Sequence, residues 1–271
     1  MATDVDGERF AWREAGSGEL VVLLHGLGGS RISWEPQLAA LGSTHRVAAW
    51  DLPGYGASAP LPGESVTFPA LAHAATDWIA ALQRSSANPD SPVHVVGISM
   101  GAMIAQYLAA WHPECVRSLT LLSTSPAFGL DGTSPNKWQA ARLAPLAAGQ
   151  QPADFAERVL RSLAGPNIDE AALAGQQRAM SRISGPALQR SIECLITHDS
   201  RPLLAGITAP TLVMVGDLDK ETPVAYAHVL SEGIPHAWLQ IVEGAGHLLN
   251  IEAADVVNAA IARHLQHVEE R

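Results

Sequence analysis

The chain has 271 residues, of which 47% are apolar and 16% are charged, and this composition excludes an intrinsically disordered protein. A formal net charge of −10, without a run of basic residues, argues against a nucleic-acid partner and against docking to an anionic membrane. No apolar run reaches the roughly 20 residues that a membrane helix needs, and the acidic start is not typical of a secretory signal. Cys115 and Cys194 are too few and too far apart for a disulfide framework or a thiolate zinc site. We therefore expect a soluble, cytoplasmic, globular protein.

Short apolar runs recur along the chain and predict the strands of a central sheet. They lie at residues 19–25, 46–51, 93–97, 119–123, 211–216 and 238–242. In the first five runs the interior positions are mostly apolar and do not alternate, which is typical of strands buried on both faces. Residues 238–242 are a candidate last strand. This pattern predicts a mostly parallel sheet that is covered by helices on both sides.

Longer segments between these runs carry apolar residues at helical spacing. Residues 67–83, 99–111 and 251–268 each repeat apolar side chains every three or four positions, which predicts amphipathic helices. Alternation of strands and helices in this order is typical of an open α/β sheet. The predicted fold class is therefore α/β, with helices flanking the sheet.

One segment, residues 127–200, breaks this alternation. It has no convincing strand, several helical fragments and frequent glycine or proline, and a structureless loop of such length would be unusual. We predict a helical cap inserted into a core formed by residues 1–126 and 201–271. Seven basic and seven acidic residues balance in this segment, so the acidic excess lies in the core.

The segment Gly97-Ile98-Ser99-Met100-Gly101 fits the pattern Gly-x-Ser-x-Gly. It lies between a predicted buried strand and a predicted helix, which is the context that a nucleophile elbow requires. Glycine on either side leaves room for backbone where a side chain would clash, and the tight turn lifts the serine hydroxyl above the sheet. The pattern predicts that Ser99 is a nucleophile.

A serine hydroxyl needs a general base, and the base needs an orienting carboxylate. Among eleven histidines, His247 stands out because it lies in a glycine-rich loop directly after the last predicted strand, at the sheet edge that carries Ser99. The loop after the strand at 211–216 supplies Asp217, Asp219 and Glu221 as possible orienting acids. The order serine, acid, histidine is the order of one serine-hydrolase architecture.

Five motifs together resemble the α/β-hydrolase family. They are His25-Gly26-Leu27-Gly28-Gly29, Asp51-Leu52-Pro53-Gly54-Tyr55-Gly56-Ala57-Ser58, the serine elbow, Gly216-x-x-Asp219 and Gly244-x-Gly246-His247. The resemblance runs from about residue 8 to residue 267. It implies that Ser99 is the nucleophile, Asp219 the acid and His247 the base.

The expected oxyanion hole consists of two backbone amides, because developing charge on a carbonyl oxygen needs preorganised donors. We expect Met100, at the amino end of the helix after Ser99, and Leu27, in the loop after the strand ending at His25. His25 itself is expected to shape the loop rather than to act as an acid or base. Trp34 is a candidate pocket residue, although simple packing would also explain it.

The family hosts many activities, so the fold does not settle the substrate. A serine nucleophile argues against dehalogenases and epoxide hydrolases, which use an aspartate at this position. The elbow resembles that of 3-oxoadipate enol-lactonases, which usually have glycine where this chain has Ala102. We expect a serine esterase or lactonase acting on a small-molecule ester or lactone, with no metal and no cofactor. A carbon–carbon bond hydrolase of the meta-cleavage type, a cofactor-free haloperoxidase or perhydrolase, and a ligand receptor of the same fold stay open, as does the oligomeric state, with a homodimer among the options.

The segment 127–200 also supplies a candidate binding residue for the substrate. Arg142 lies near Trp138, and a guanidinium binds a carboxylate with two hydrogen bonds. These two residues are predicted to contact the substrate, with Arg142 binding a carboxylate on it. The alternative is that the arginines of this segment are solvated and paired with its local acids.

Overall fold

The computed structural model describes residues 1–63, 65–84 and 89–270. In these ranges the strands are β1 (Thr3–Asp6), β2 (Ala11–Ala15), β3 (Leu20–Leu24), β4 (Arg46–Trp50), β5 (Val93–Ile98), β6 (Val116–Leu122), β7 (Thr211–Gly216) and β8 (Ala237–Val242). The α-helices are α1 (Glu35–Leu41), α2 (Phe68–Gln83), α3 (Met100–Trp111), α4 (Pro135–Ala147), α5 (Pro152–Leu163), α6 (Glu170–Ser181), α7 (Gly185–Leu195), α8 (Val224–Gly233), α9 (Leu249–Glu252) and α10 (Ala254–Glu269). None of the helices described is both long and apolar enough to cross a bilayer.

All eight strands form one sheet in the order β1-β2-β4-β3-β5-β6-β7-β8. From β4 to β8 every neighbouring pair is parallel, whereas β1 and β2 are antiparallel additions at one edge. The six predicted strands and the mostly parallel sheet are confirmed. The antiparallel pair β1–β2 was not predicted from the sequence.

Strands β3 to β7 are buried on both faces, as their continuous apolar pattern predicts. The edge strand β8 differs, because Trp238 and Ile241 are exposed. In β3, Val22 and Leu24 pack into a core with α2 and α3, and Val21 and Leu23 pack into a second core with α1 and α10. Each strand therefore needs apolar side chains at successive positions. This double core fixes the carboxyl ends of the parallel strands along one edge of the sheet.

The predicted helix at 251–268 is interrupted in the structure. Helix α9 ends at Glu252, and Ala253 leaves the helical region with φ −126° and ψ 44° before α10 begins. The Glu252 carboxylate turns back towards the preceding loop and accepts hydrogen bonds from the amides of Gly246 at 2.7 Å and Leu248 at 2.8 Å. Helical periodicity alone could not show this break, because the apolar spacing continues through it.

Residues 127–200, which we term the insertion, lie between β6 and β7 and contain α4 to α7. Its two ends meet in an isolated antiparallel bridge between Ala127 and Asp199. Further hydrogen bonds join Phe128 N to His198 O at 2.9 Å and Ser200 N to Pro126 O at 2.7 Å. The insertion therefore leaves the sheet and returns to it at one place, beside the carboxyl ends of the strands.

A buried histidine of α10 makes the stability of this fold depend on pH. The His264 Nε2–H donates to Leu119 O at 3.2 Å and the ring packs edge-on against Trp238. Burial lowers the pKa of His264 to about 4. The unfolded chain therefore binds more protons than the folded one between about pH 6.5 and 4, and the free energy of unfolding falls as the pH drops through that window.

We predict that His264→Gln removes part of this acid sensitivity, because glutamine keeps an N–H donor for Leu119 O but does not titrate. Urea unfolding measures the free energy of unfolding at about pH 7 and at about pH 4.5. We expect its decrease between these pH values to be smaller in the variant than in the wild type, by on the order of 2–3 kcal/mol. An equal loss in both proteins would show that His264 is not the group responsible.

Candidate active site

The turn between β5 and α3 holds Ser99 in a strained backbone conformation. Its φ of 53° and ψ of −123° place it in a region that residues other than glycine rarely adopt, at a cost of about 1–3 kcal/mol. A Cβ on Gly97 would lie 2.6 Å from the backbone of Ala102, and one on Gly101 would lie 2.0 Å from Leu24 O. Both glycines are therefore required by close backbone contacts, as the elbow pattern predicts.

Three side chains from separate parts of the chain meet at this turn. His247 Nε2 lies 3.1 Å from Ser99 Oγ, and His247 Nδ1 lies 2.9 Å from Asp219 Oδ2. Because the carboxylate can only accept, Nδ1 carries the proton and Nε2 presents its lone pair to the serine hydroxyl. The structure brings together all three residues that the sequence motifs single out.

The Asp219 carboxylate is itself held in place by the loop after β7. Asp219 Oδ1 accepts from the amides of Glu221 and Thr222, each at 2.9 Å, and Asp219 Oδ2 accepts from Thr222 Oγ1 at 2.8 Å. Asp217 is exposed and accepts from Gly244 N at 2.7 Å instead. Of these two acids, it is Asp219 whose carboxylate is hydrogen-bonded to His247.

Burial and charge act in opposite directions on this pair. Burial favours the neutral imidazole, but the charge and the hydrogen bond of Asp219, together with Glu221 and Glu252, hold the pKa of His247 above its ordinary value. Burial likewise opposes ionisation of Asp219, yet His247 and the hydrogen bonds from Thr222 keep the pKa of that carboxyl below its usual range. The pair is therefore arranged to favour a carboxylate beside an imidazole that gains a proton readily.

The two amides expected to form an oxyanion hole come from different segments of the chain. Met100 is the first residue of α3, where the helix leaves its N–H groups without partners inside the helix. Leu27 lies in the loop after β3 and lines the cavity described below. His25 fixes that loop, because its Nε2 accepts from Leu52 N at 2.9 Å and its Nδ1 donates to Gly26 O at 2.9 Å. His25 thus shapes the loop, as expected.

A cavity of about 650 Å³ lies between the sheet edge and the insertion. Ser99 and His247 line its floor, and the insertion supplies most of its apolar lining. This lining includes Phe128, Trp138, Phe155, Val159, Leu160, Leu163, Met180, Leu188, Ile192 and Leu195. A volume and lining of this kind suit a small organic ligand.

The candidate binding residues fall in different places. Trp138 and Arg142 of α4 line the cavity. Trp34 does not, because it is fully buried in the core formed with α1 and α10. Arg142 Nη2 donates to Glu221 Oε1 at 2.5 Å, and its guanidinium lies 5.2 Å from the Trp138 ring. Arg142 is thus already paired with a carboxylate of the protein itself.

Sequence reasoning missed two residues that hold Asp219 and the loop of His247 in place. Thr222 binds Asp219, and Glu252 binds the backbone on both sides of His247. The only signal was spacing, since Thr222 follows Asp219 by three residues and Glu252 follows His247 by five. Spacing of this kind does not predict a contact unless the three-dimensional positions of the loops are known.

A separate polar cluster lies near the amino ends of β3 and β5, away from the strand ends that carry Ser99. Among the residues described, Glu19, His94 and Glu269 place possible ligand atoms within 4.8 Å of one another. Glu19 already pairs with Arg117, and Glu269 pairs with His45 at 2.8 Å. These polar groups already have partners within the protein, and the cluster takes no part in the site around Ser99.

Comparison with known proteins places the chain in a family. The model of the alpha/beta hydrolase family matches residues 21–260, and the chain belongs to that family. A pimeloyl-(acyl-carrier protein) methyl ester esterase of Chromobacterium violaceum is 33% identical over 261 residues, which cover 93% of this chain and 96% of that protein.

Solved structures agree with this assignment. A hydrolase from Pseudomonas aeruginosa PA01 matches with a TM-score of 0.84 at 25% identity, covering 97% of this chain and 98% of that one. An enol-lactonase from Burkholderia xenovorans LB400 also has a TM-score of 0.84, at 24% identity, covering 97% of this chain and 100% of that one. The likeness to the lactonase concerns the fold. The α/β-hydrolase resemblance of the sequence motifs is confirmed.

Proposed function

We propose that the protein hydrolyses a small-molecule carboxylic ester or lactone through an acyl-enzyme on Ser99. The observation that carries this proposal is the continuous hydrogen-bonded series from Ser99 Oγ through His247 to Asp219, with distances of 3.1 and 2.9 Å, at the floor of an apolar cavity. The esterase relative supports the same reaction class.

In the acylation step, His247 Nε2 takes the hydroxyl proton as Ser99 Oγ attacks the carbonyl carbon. The amides of Leu27 and Met100 donate to the oxygen that becomes negatively charged. Asp219 stabilises the imidazolium that forms. The carbon–oxygen bond to the leaving group then breaks, and His247 gives its proton to the departing alcohol oxygen, leaving Ser99 acylated.

Deacylation repeats these steps with water as the nucleophile. His247 Nε2 takes a proton from water, the resulting hydroxide adds to the acyl carbon, and the ester bond to Ser99 Oγ breaks. The proton returns to Ser99, and the carboxylic acid leaves. In a lactone the alcohol and the acid stay on one molecule, so the same residues would open a ring.

We infer that the insertion acts as a cap domain over a core of residues 1–126 and 201–271. Its helices supply most of the apolar wall of the cavity, which would remove water from the acyl group and strengthen every electrostatic interaction at Ser99. Trp138 would contact the substrate from α4.

We predict that Ser99→Ala abolishes hydrolysis of a p-nitrophenyl ester, because the variant lacks the attacking oxygen. Loss of a triad nucleophile costs on the order of a million-fold in kcat in comparable machinery. Steady-state release of p-nitrophenol measures the effect, thermal unfolding checks the fold, and Ser181→Ala, an exposed serine of α6, is the matched control. Near-wild-type turnover by folded Ser99→Ala would rule out the proposed mechanism. A wild-type protein that binds esters without repeated turnover would instead indicate a receptor.

Substitution of Asp219 should lower kcat far more than substitution of the neighbouring Asp217. Asp219→Asn would replace the carboxylate that sets the tautomer of His247, and we expect a loss of about ten-thousandfold in kcat. Asp217→Asn should cost far less, since Asp217 is exposed and binds Gly244 N. Single-turnover kinetics of both variants in parallel gives the ranking, and the reverse ranking would move the acid role to Asp217.

Arg142 pairs with Glu221, which lies outside the insertion, so its partner is not one of the local acids of that segment. This salt bridge favours a structural role over binding of a substrate carboxylate. We propose that Arg142 ties α4 to the loop that carries Asp219, because it donates to Glu221, two residues from that acid. Arg142→Met should then change kcat/KM alike for a neutral ester and for its carboxylated analogue, with Arg178→Met of α6 as control. A rise in KM of about ten- to a hundredfold confined to the carboxylated substrate would show that Arg142 binds that carboxylate.

A further inference from the structure

The loop that carries His247 is fixed by one carboxylate. Glu252 Oε2 accepts from Gly246 N at 2.7 Å, and Glu252 Oε1 accepts from Leu248 N at 2.8 Å. Glu252 therefore binds the residue before and the residue after His247. Hydrogen bonds from amides to a charged carboxylate are shorter and stronger than those between neutral groups.

The same carboxylate also binds the insertion. Glu252 Oε2 accepts a further hydrogen bond from Gly165 N at 2.7 Å, in the connection between α5 and α6. Two residues earlier, Leu163 O accepts from His247 N at 2.9 Å. The backbone amide of His247 itself is thus held by the insertion.

Two glycines allow this close approach. A Cβ on Gly165 would lie 2.5 Å from Glu252 Oε2, and a Cβ on Gly246 would lie 2.5 Å from Gly165 N and 2.8 Å from Leu163 O. Neither contact leaves room for a side chain. We call this set of contacts, formed by Leu163, Gly165, Gly246, His247 and Glu252, the histidine joint.

We propose that Glu252 is a positioning residue that sets the place of His247 and couples it, through the histidine joint, to the insertion. This inference rests on the proposed function. Glu252 binds backbone amides rather than the reacting atoms, and it acts on the reaction by fixing the backbone from which His247 reaches Ser99. A displacement of about 1 Å at such a group is enough to cost on the order of a hundredfold in rate.

Glu252 also acts on His247 through its charge. Its carboxylate is one of the groups that hold the pKa of His247 above the ordinary value, after Asp219 and Glu221. The charged groups that face His247 or the cavity beside it are Asp131, Arg142, Arg158, Asp219, Lys220, Glu221 and Glu252. Since the base must be neutral to accept the serine proton, kcat/KM falls below the pKa of His247, which sets the acid limb of the pH profile.

Glu252→Gln tests both effects at once, because the amide keeps the side-chain length but removes the charge and turns an N–H group towards backbone donors. We expect kcat for ester hydrolysis to fall roughly ten- to a hundredfold, with a smaller change in KM. The acid limb of kcat/KM should move to lower pH. Glu243→Gln is the matched control, because Glu243 is an exposed glutamate in the same loop and should leave kcat and the acid limb unchanged.

Two further variants separate geometry from charge. Glu252→Asp keeps the charge on a side chain too short to reach all three amides, so kcat should fall while the acid limb stays near its wild-type position. Gly165→Ala displaces the insertion from Glu252 and should lower kcat without moving the acid limb to lower pH. These two variants also decide the matter if Glu252→Gln does not fold.

Wild-type kcat and acid limb in Glu252→Gln, or wild-type kcat in both Glu252→Asp and Gly165→Ala, would overturn the proposal. So would an equal displacement of the acid limb in Glu252→Gln and Glu252→Asp, since only the first removes the charge. Failure of the proposed function would give a different result, namely ester hydrolysis that survives the substitution Ser99→Ala. If Ser99→Ala is inactive and the Glu252 variants behave like Glu243→Gln, this inference alone fails.

Discussion

The site depends first on the close packing of backbone around Ser99. The residue holds a φ of 53° because β5 ends and α3 begins within one turn, and the cost of that conformation must be met by the surrounding structure. Leu24 O lies where a Cβ on Gly101 would be, so β3 packs directly against the start of α3. The sheet and helix together hold the hydroxyl in a position that a flexible loop would not maintain.

The parallel sheet explains how residues distant in sequence reach this turn. Ser99, Asp219 and His247 follow β5, β7 and β8, and the carboxyl ends of parallel strands share one edge. The insertion leaves after β6 and returns before β7, so it covers that same edge. Its contacts with the loops after β7 and β8, through Arg142 and Gly165, join the wall of the cavity to the groups on its floor.

The sequence predicted the parts of the fold that depend on local pattern. Continuous apolar runs predicted the buried strands, and the glycines around Ser99 predicted the tight turn, because each pattern reflects a local packing requirement. The strands β1 and β2 were missed, since β1 is a polar, exposed edge strand without apolar alternation. An edge strand such as β1 is held by backbone hydrogen bonds and buries few side chains. Its sequence therefore shows no pattern of buried apolar residues.

Residues whose roles depend on a distant partner could not be predicted in the same way. Trp34 follows a motif loop, yet it packs in the core formed with α1 and α10 rather than in the cavity. Arg142 meets Glu221 across 79 positions, and Glu252 meets Gly165 across 87. Each pairing follows from how the insertion sits on the sheet. Local sequence carries no record of that placement, and the three-dimensional contacts are needed to see it.

The most direct test of the account is the identity of the atom that becomes covalently modified. Reaction with a p-nitrophenyl phosphonate should form a bond from Ser99 Oγ to phosphorus and release p-nitrophenolate, leaving a stable adduct. Peptide mass spectrometry should then find one phosphonyl group per chain, on the peptide that contains Ser99, with activity lost in proportion. Stoichiometric labelling of another residue, or full ester turnover by a protein whose Ser99 is completely modified, would contradict the account.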